Sequence, residues 1–232
     1  MRLSATSAFG LSALTVLALA GCSTSTGSAG APAASSAAPA HRGGGEAKAS
    51  APLSSAELGK RLLDEGDLGE GFTRKAEAAV RHDDVSVIGC PALAKLGGDT
   101  ATGSSLSFPR KSKASFTYSG GSSSGVSEEL YSDSATKLSK GIGKIFDAMV
   151  SCSSYQVASG STVIDIGAQK TTAPNLGDEQ WSQLLTYSAG GQRSIVKQTA
   201  IRTENILVIV SGSPGLVDGH LAMALAKAQA AS

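Results

Sequence analysis

DSATKLSKGIGKIFDAMVSC, residues 133–152, has the clearest amphipathic helix pattern in the chain, and the prediction of the fold starts from this segment. Its apolar positions recur at spacings of 4, 3, 4 and 3 and are Leu138, Ile142, Ile145, Met149 and Cys152. This spacing is that of one face of an α-helix about five turns long. Gly141 and Gly143 each weaken the helix by up to about 1 kcal/mol relative to alanine. We therefore expect them to allow close packing against a sheet.

After this helix, the period of the apolar positions changes to two. Four segments are predicted strands, and they are VIDI (163–166), QLLTY (183–187), SIVKQTAI (194–201) and ILVIV (206–210). ILVIV is apolar on both faces, which predicts a central strand. In the third segment, Ile195 and Ile201 share a face with Lys197 and Thr199. Such a half-polar face is typical of antiparallel sheets, and the short connection 203–205 predicts a hairpin.

The segments before the long helix complete the domain. Ser54 and Glu57 form a capping box, and Leu53 and Leu58 form a hydrophobic staple, so a helix is expected to begin here. A short helix is predicted after Cys90, alternating strands at 114–118 and 126–130, and a final helix at 218–230. Adjacent strands between helices predict an α+β domain with an antiparallel sheet.

The N-terminus carries an export signal. Arg2 is followed by about 13 uncharged, mostly apolar residues, which are too few for a membrane span of about 20. Leu19, Ala20, Gly21 and Cys22 resemble the lipobox of bacterial lipoproteins. The resemblance implies that Cys22 receives a diacylglycerol group, and that a peptidase recognises the three preceding residues and removes 1–21. The alternative is an ordinary secretion signal with an incidental cysteine.

Residues 22–52 are expected to form a lipidated tether. After Cys22 they include no large apolar side chain, so they cannot bury enough surface to offset the entropy of ordering. A flexible coil of this length reaches roughly 30 Å. Two acyl chains suffice for stable anchoring. Residues 53–232 are long enough for a single domain with a sizeable core.

Charge restricts the partners. The chain has 20 Lys and Arg against 19 Asp and Glu, and loss of Arg2 with the signal leaves no net charge. This neutral, scattered distribution argues against nucleic acid, which requires a basic face. It also argues against electrostatic binding to anionic lipid beyond the anchor.

Two cysteines remain in the domain, Cys90 and Cys152. In an exported domain such a pair predicts a disulfide, worth about 4 kcal/mol in the chain-entropy model for a loop of this length. A zinc site with His82 would lack a fourth ligand, and a redox pair usually has C-x-x-C spacing.

Short motifs along the domain carry a family resemblance. LLDEGDLGEGF, IGCPAL, the long helix ending in VSC, and LGDEQW resemble the PknH-like extracellular sensor domains of actinobacteria. The resemblance spans most of residues 53–232. It implies an antiparallel sheet with helices packed mainly on one face, and a cleft for an unidentified extracellular ligand. Those domains usually carry two disulfides, whereas this chain can form one.

The catalytic motifs have simpler structural explanations. Residues 121–125 fit G-x-S-x-G, but a glycine- and serine-rich hairpin loop is favoured. Ser134 and Ser194 fit S-x-x-K, yet they are better explained as a helix start and a strand residue, because the companion motifs are absent. Residues 82–84, His-Asp-Asp, favour a solvated turn over a cation site. We predict neither a metal site nor a cofactor.

Two remaining candidates also favour structural roles. Asp178 and Glu179 are neighbouring carboxylates in a loop, and such acids are usually solvated. Trp181 is the only tryptophan; it could anchor a ligand, but core packing is favoured.

The sequence thus predicts a non-catalytic lipoprotein on the outer face of the cell membrane that binds an extracellular ligand or an envelope protein. The alternative is a carrier of a lipid or acyl chain. A carrier requires a dry cavity between the sheet and the long helix, beside Gly141, Gly143 and Ala148. An envelope hydrolase is a third, weaker hypothesis.

Overall fold

Nine antiparallel strands form one sheet in the part of the chain that the structure describes. The computed structural model describes residues 51–76, 85–97, 108–120 and 124–230. The strands are β1 Phe72–Arg74, β2 Val85–Ile88, β3 Lys111–Tyr118, β4 Gly125–Ser132, β5 Ser154–Ser159, β6 Thr162–Lys170, β7 Glu179–Ala189, β8 Gln192–Thr203 and β9 Ile206–Gly212. The helices are α1 Ser55–Arg61, α2 Glu65–Leu68, α3 Pro91–Ala94, α4 Ala135–Val150 and α5 Pro214–Gln229.

The strand order is β1-β3-β4-β9-β8-β7-β6-β5-β2, so the sequence-adjacent strands β5 to β9 form a continuous meander. The β7–β8 hairpin turns at Gly190 and Gly191, whose φ angles of 56° and 77° lie in the left-handed region that glycine adopts at little cost. The predicted β8–β9 hairpin is confirmed, with Thr203 opposite Ile206.

Strand β9 is the centre of the core. Its residues 206–210 are all buried, and successive side chains point to opposite sides of the sheet. We call the side that carries Ile206, Val208 and Val210 the front face, and the side that carries Leu207 and Ile209 the back face.

Helices α1, α2 and α5 cover the front face over β3, β4, β9 and the second half of β8. Their apolar residues pack with Ile206, Val208 and Val210 in one cluster. Helix α1 begins with the predicted capping box: the Ser54 N–H donates to Glu57 Oε2 at 2.8 Å, and the Glu57 N–H donates to Ser54 Oγ at 3.2 Å.

Helices α3 and α4 cover the back face. In the predicted stripe of α4, Leu138, Ile142 and Met149 are each no more than 1% exposed, and Ile145 and Cys152 are half-buried. The Cys90–Cys152 disulfide, with its α-carbons 5.8 Å apart, joins the start of α3 to the end of α4. The predicted disulfide is therefore confirmed.

The α+β class and the antiparallel sheet are also confirmed, but the helices divide between the two faces instead of packing mainly on one. The reason lies in β9, because a strand that is apolar on both sides must be covered on both sides to remove its side chains from water. Three short elements, β1, α2 and β5, were not predicted, and α5 begins at Pro214, ahead of the predicted residue 218.

Within the described ranges, the helices are all too short or too polar to cross a bilayer.

Candidate functional site

Part of the front face has no helix over it. Along β8, Thr199 and Ile201 are buried beneath α5, Lys197 is half-buried, and Ile195 is 49% exposed. The strand therefore runs from the covered part of the sheet into an open part formed with β7, β6, β5 and β2. An open groove of about 500 Å³ lies on this surface; we call it the sheet groove.

The strand register builds the floor of the sheet groove in two rows. The first row contributes one residue from each of five neighbouring strands, namely Ile88, Gln156, Asp165, Ser188 and Arg193. The second row lies one pleat away and consists of Ser154, Gly167 and Thr186; Ile195 continues this row on β8, beyond the groove. Neighbouring strands are about 4.8 Å apart, so the α-carbons of Asp165 and Arg193 are roughly 10 Å apart.

The middle of the floor is open because residue 167 is glycine. A Cβ built on Gly167 would meet Thr186 Cβ at 3.7 Å and the Ser153 carbonyl oxygen at 3.9 Å, both ordinary contacts. Its backbone angles suit any residue, so a side chain at this position would fill the groove without straining the strand.

Polar and apolar groups alternate around the groove. Gln156 Nε2 donates to Asp165 Oδ1 at 2.8 Å and fixes that carboxylate within the β5–β6 pair. Ile88 is 51% exposed at one end of the first row, and Ile195 is exposed on β8 beyond the groove. Towards α5, Lys197 Nζ lies 2.5 Å from Asp218 Oδ1. A surface with both charges and an apolar end can bind an amphipathic small molecule.

One buried carboxyl group lies elsewhere on the front face. Glu128 of β4 is fully buried and accepts a hydrogen bond from the Leu63 N–H through Oε2 at 2.6 Å. Burial raises the pKa of Glu128 to about 7, against the opposing effects of this hydrogen bond and of the charge on Lys227. The group has no access to solvent, and its hydrogen bond ties β4 to the α1–α2 connection.

The carboxylates predicted to be solvated instead bind an arginine. Arg202 donates to Asp178 Oδ2 at 3.0 Å and to Glu179 Oε1 at 2.9 Å. Trp181 lies on the back face with its ring 6.5 Å from that of Phe146, which agrees with the predicted packing role.

The two S-x-x-K serines lie in the predicted elements, one at a helix start and one in a strand. Ser134 is the N-cap of α4, and Ser194 lies within β8. The described end of the 121–125 loop runs directly into β4.

The lipobox residues Leu19, Ala20, Gly21 and Cys22, residues 22–50 of the tether, and residues 82–84 and 121–123 lie outside the described residues. In the described ranges, the His, Cys, Asp and Glu side chains form no group of three that could hold a metal ion. Sequence reasoning missed the sheet groove itself, because its residues become neighbours only through the register of five strands.

The comparisons with known proteins bear on the fold. No protein-family model matches the chain, and no curated protein matches it in sequence. Among solved structures, the chain is similar to the crystal structure of the extracellular domain of PknH from Mycobacterium tuberculosis, with a TM-score of 0.58 and 12% identity. The match covers 76% of this chain and 97% of that one. The PknH-like fold expected from the short sequence motifs is therefore confirmed.

Proposed function

We propose that this protein is a lipid-anchored domain on the outer face of the cell membrane that binds a small ligand in the sheet groove and catalyses no reaction. The observation that carries the proposal is the groove: about 500 Å³ of open space over a floor of charged, hydroxyl and amide side chains, with the exposed apolar side chain of Ile88 at one end. Ligand sites typically combine apolar walls with a few placed polar groups and have volumes of about 300–1,000 Å³.

The N-terminal sequence supports the anchoring part of the proposal. The lipobox-like residues 19–22 precede a tether with no large apolar residue, and the domain begins where that tether ends. There, Asn205 Nδ2 donates to the Ala51 carbonyl oxygen at 2.6 Å, and the Leu53 N–H donates to Ser132 Oγ at 2.9 Å. A tether with roughly 30 Å of reach would leave the groove accessible above the membrane.

The composition of the groove supports binding without catalysis. Nucleophilic catalysis requires a hydroxyl or thiol within hydrogen-bond reach of a general base. The side-chain hydroxyls of the groove, on Ser154, Thr186 and Ser188, make no hydrogen bond with a described side chain, and the carboxylate in the floor rows, Asp165, accepts from Gln156 instead. Of the described residues, the single histidine is His220 on α5, whose ring packs edge-on against Phe72 at 5.2 Å.

Packing under α4 gives less support to the alternative, a carrier of a lipid or acyl chain. A Cβ on Gly141 would lie 2.5 Å from the ring of Phe108, and one on Gly143 would lie 4.0 Å from Trp181. Aromatic rings thus occupy space beside the two glycines, where the carrier hypothesis needed a cavity.

The test is a thermal-melting screen of the mature chain against short peptides, oligosaccharides and fatty acids. A ligand present at 100 times its Kd stabilises the native state by about 2.7 kcal/mol, which raises the melting temperature by roughly 5–10 °C for a domain of this size. We expect at least one such ligand. Its effect should be lost in Gly167→Val, which fills the groove. It should be kept in Gly219→Val, which adds the same side chain at an exposed position of α5 outside the groove.

Two outcomes contradict the proposal. If no compound of any class raises the melting temperature, the domain is not a small-molecule receptor. If fatty acids stabilise wild type and Gly167→Val equally, the carrier hypothesis replaces it.

A further inference from the structure

Two opposite charges face the sheet groove from the same row. Asp165 and Arg193 lie on either side of Ser188, with one strand between theirs. Asp165 is held through Oδ1 by Gln156, while its other oxygen has no partner among the described residues. Arg193 is exposed and has neither an ion pair nor a hydrogen bond with any described residue. A bound ligand would meet one anionic and one cationic group on two strands of the sheet, β6 and β8, that are separated by β7.

These charges discriminate between classes of ligand. A purely apolar ligand would cover both charges without pairing them, and burying an unpaired charge is costly. A purely anionic ligand would pair with Arg193 but place its charge near the Asp165 carboxylate. A purely cationic ligand would meet the converse problem at Arg193. A ligand with one charge of each sign satisfies both groups.

The spacing of the two strand positions that carry these charges indicates a length for the ligand, because both side chains project from the same face of the sheet. The two α-carbons are separated by two strand spacings, roughly 10 Å. An extended peptide advances about 3.3 Å per residue, so the ammonium and carboxylate of a tripeptide are also roughly 10 Å apart. The hydroxyl of Ser188 lies between the charges, that of Thr186 lies beside it in the second row, and both can bond to peptide amides. The space above Gly167 admits the peptide backbone.

We propose that the sheet groove binds a short linear peptide of about three residues with unblocked termini, its carboxylate on Arg193 and its ammonium on Asp165. This inference rests on the proposed function, because it names the ligand class of the same groove. The peptide would cross the strands of the sheet, so each of its two ends would contact a different protein residue.

The test measures the affinity of the mature chain for tri-alanine and for its N-acetylated and C-amidated forms at low ionic strength, by titration followed with NMR. An exposed ion pair contributes up to about 1 kcal/mol, which corresponds to about fivefold in affinity. We expect tri-alanine to bind and each blocking group to weaken binding about fivefold. Physiological salt should reduce both penalties, since the charges are exposed.

Matched variants assign each end of the peptide. In Asp165→Asn, tri-alanine should bind about fivefold more weakly, and N-acetylation should then cost nothing, while amidation keeps its full penalty. In Arg193→Gln, the roles of the two blocking groups should reverse. Lys95→Gln and Glu70→Gln remove exposed charges outside the groove and should leave both penalties unchanged. A change in folding alone cannot produce this crossed pattern.

The inference is overturned if the blocking groups cost the same in wild type and in both groove variants. The inference is also overturned if tri-alanine does not bind while another class of compound binds to wild type but not to Gly167→Val. In that case the proposed function stands. If tri-alanine binds equally well to Gly167→Val, both the inference and the proposed function fail.

Discussion

Replacing Glu128 with glutamine should remove a pH-dependent weakness in the core. The side chain lies beneath the α1–α2 connection, fully buried, with one oxygen bonded to the Leu63 N–H and the other without a hydrogen-bond partner among the described atoms. Glutamine has nearly the same shape, and its carbonyl oxygen can accept the same bond. The substitution therefore removes the ionisable group and keeps the packing.

The magnitude follows from the raised pKa. The carboxyl group titrates at about 7 in the native protein against 4.5 as its ordinary value. Between these pH values the unfolded chain releases the proton and the native state retains it, so stability is fully present below about pH 4.5 and falls as the pH rises through 7. A difference of roughly 2.5 units corresponds to about 3 kcal/mol.

The assay is urea denaturation of wild type and Glu128→Gln at pH 5 and pH 8. Other titrating groups are common to both proteins and cancel in the difference. We expect the variant to gain about 2–3 kcal/mol over wild type between the two pH values. The matched control Glu70→Gln, which neutralises an exposed carboxylate, should show no such gain. A difference between variant and wild type that is the same at both pH values would refute the reasoning.

Three further predictions concern the disulfide, a buried arginine and the anchor. Replacing both Cys90 and Cys152 with serine should lower the free energy of unfolding by about 4 kcal/mol, measured by urea denaturation, because a loop of 62 residues loses its closure; an unchanged value would show that the loop is already constrained in the unfolded chain. Arg202→Met should lower it by about 1–3 kcal/mol, since the buried guanidinium donates to two carboxylates and a carbonyl oxygen; retention of full stability would mean that these bonds contribute nothing net. Cys22→Ala should move the protein from the detergent phase to the aqueous phase on partitioning of cell membranes, whereas a Ser23→Ala control should not; equal partitioning of the two variants would contradict lipidation.

The sequence was most informative where a single element carries its own pattern. The stripe of α4 and the capping box at Ser54 are local, since each depends on residues within a few turns of one another, and both are present in the structure. Strand β5 was missed because Tyr155 and Val157 alternate with polar residues over only six positions. Which side of β9 each helix covers depends on contacts between distant segments of the chain, and no local pattern specifies those contacts.

The sheet groove could not be predicted in the same way. Gln156, Asp165, Ser188 and Arg193 are ordinary surface residues taken singly, and they form a row only through three successive strand registers. A one-residue slip in any pairing would turn the following side chains to the back face. The one available signal was the half-polar face of β8, where Ile195 and Lys197 share a side with buried Ile201.

Native mass spectrometry of the mature chain, purified from a host that exports it, tests the central claim most directly. We predict that wild type and Gly219→Val either carry a bound small molecule or gain mass when tri-alanine is supplied. Gly167→Val should do neither. An acyl lipid carried equally by all three proteins, beyond the anchor itself, would contradict binding in the sheet groove and identify the domain as a carrier.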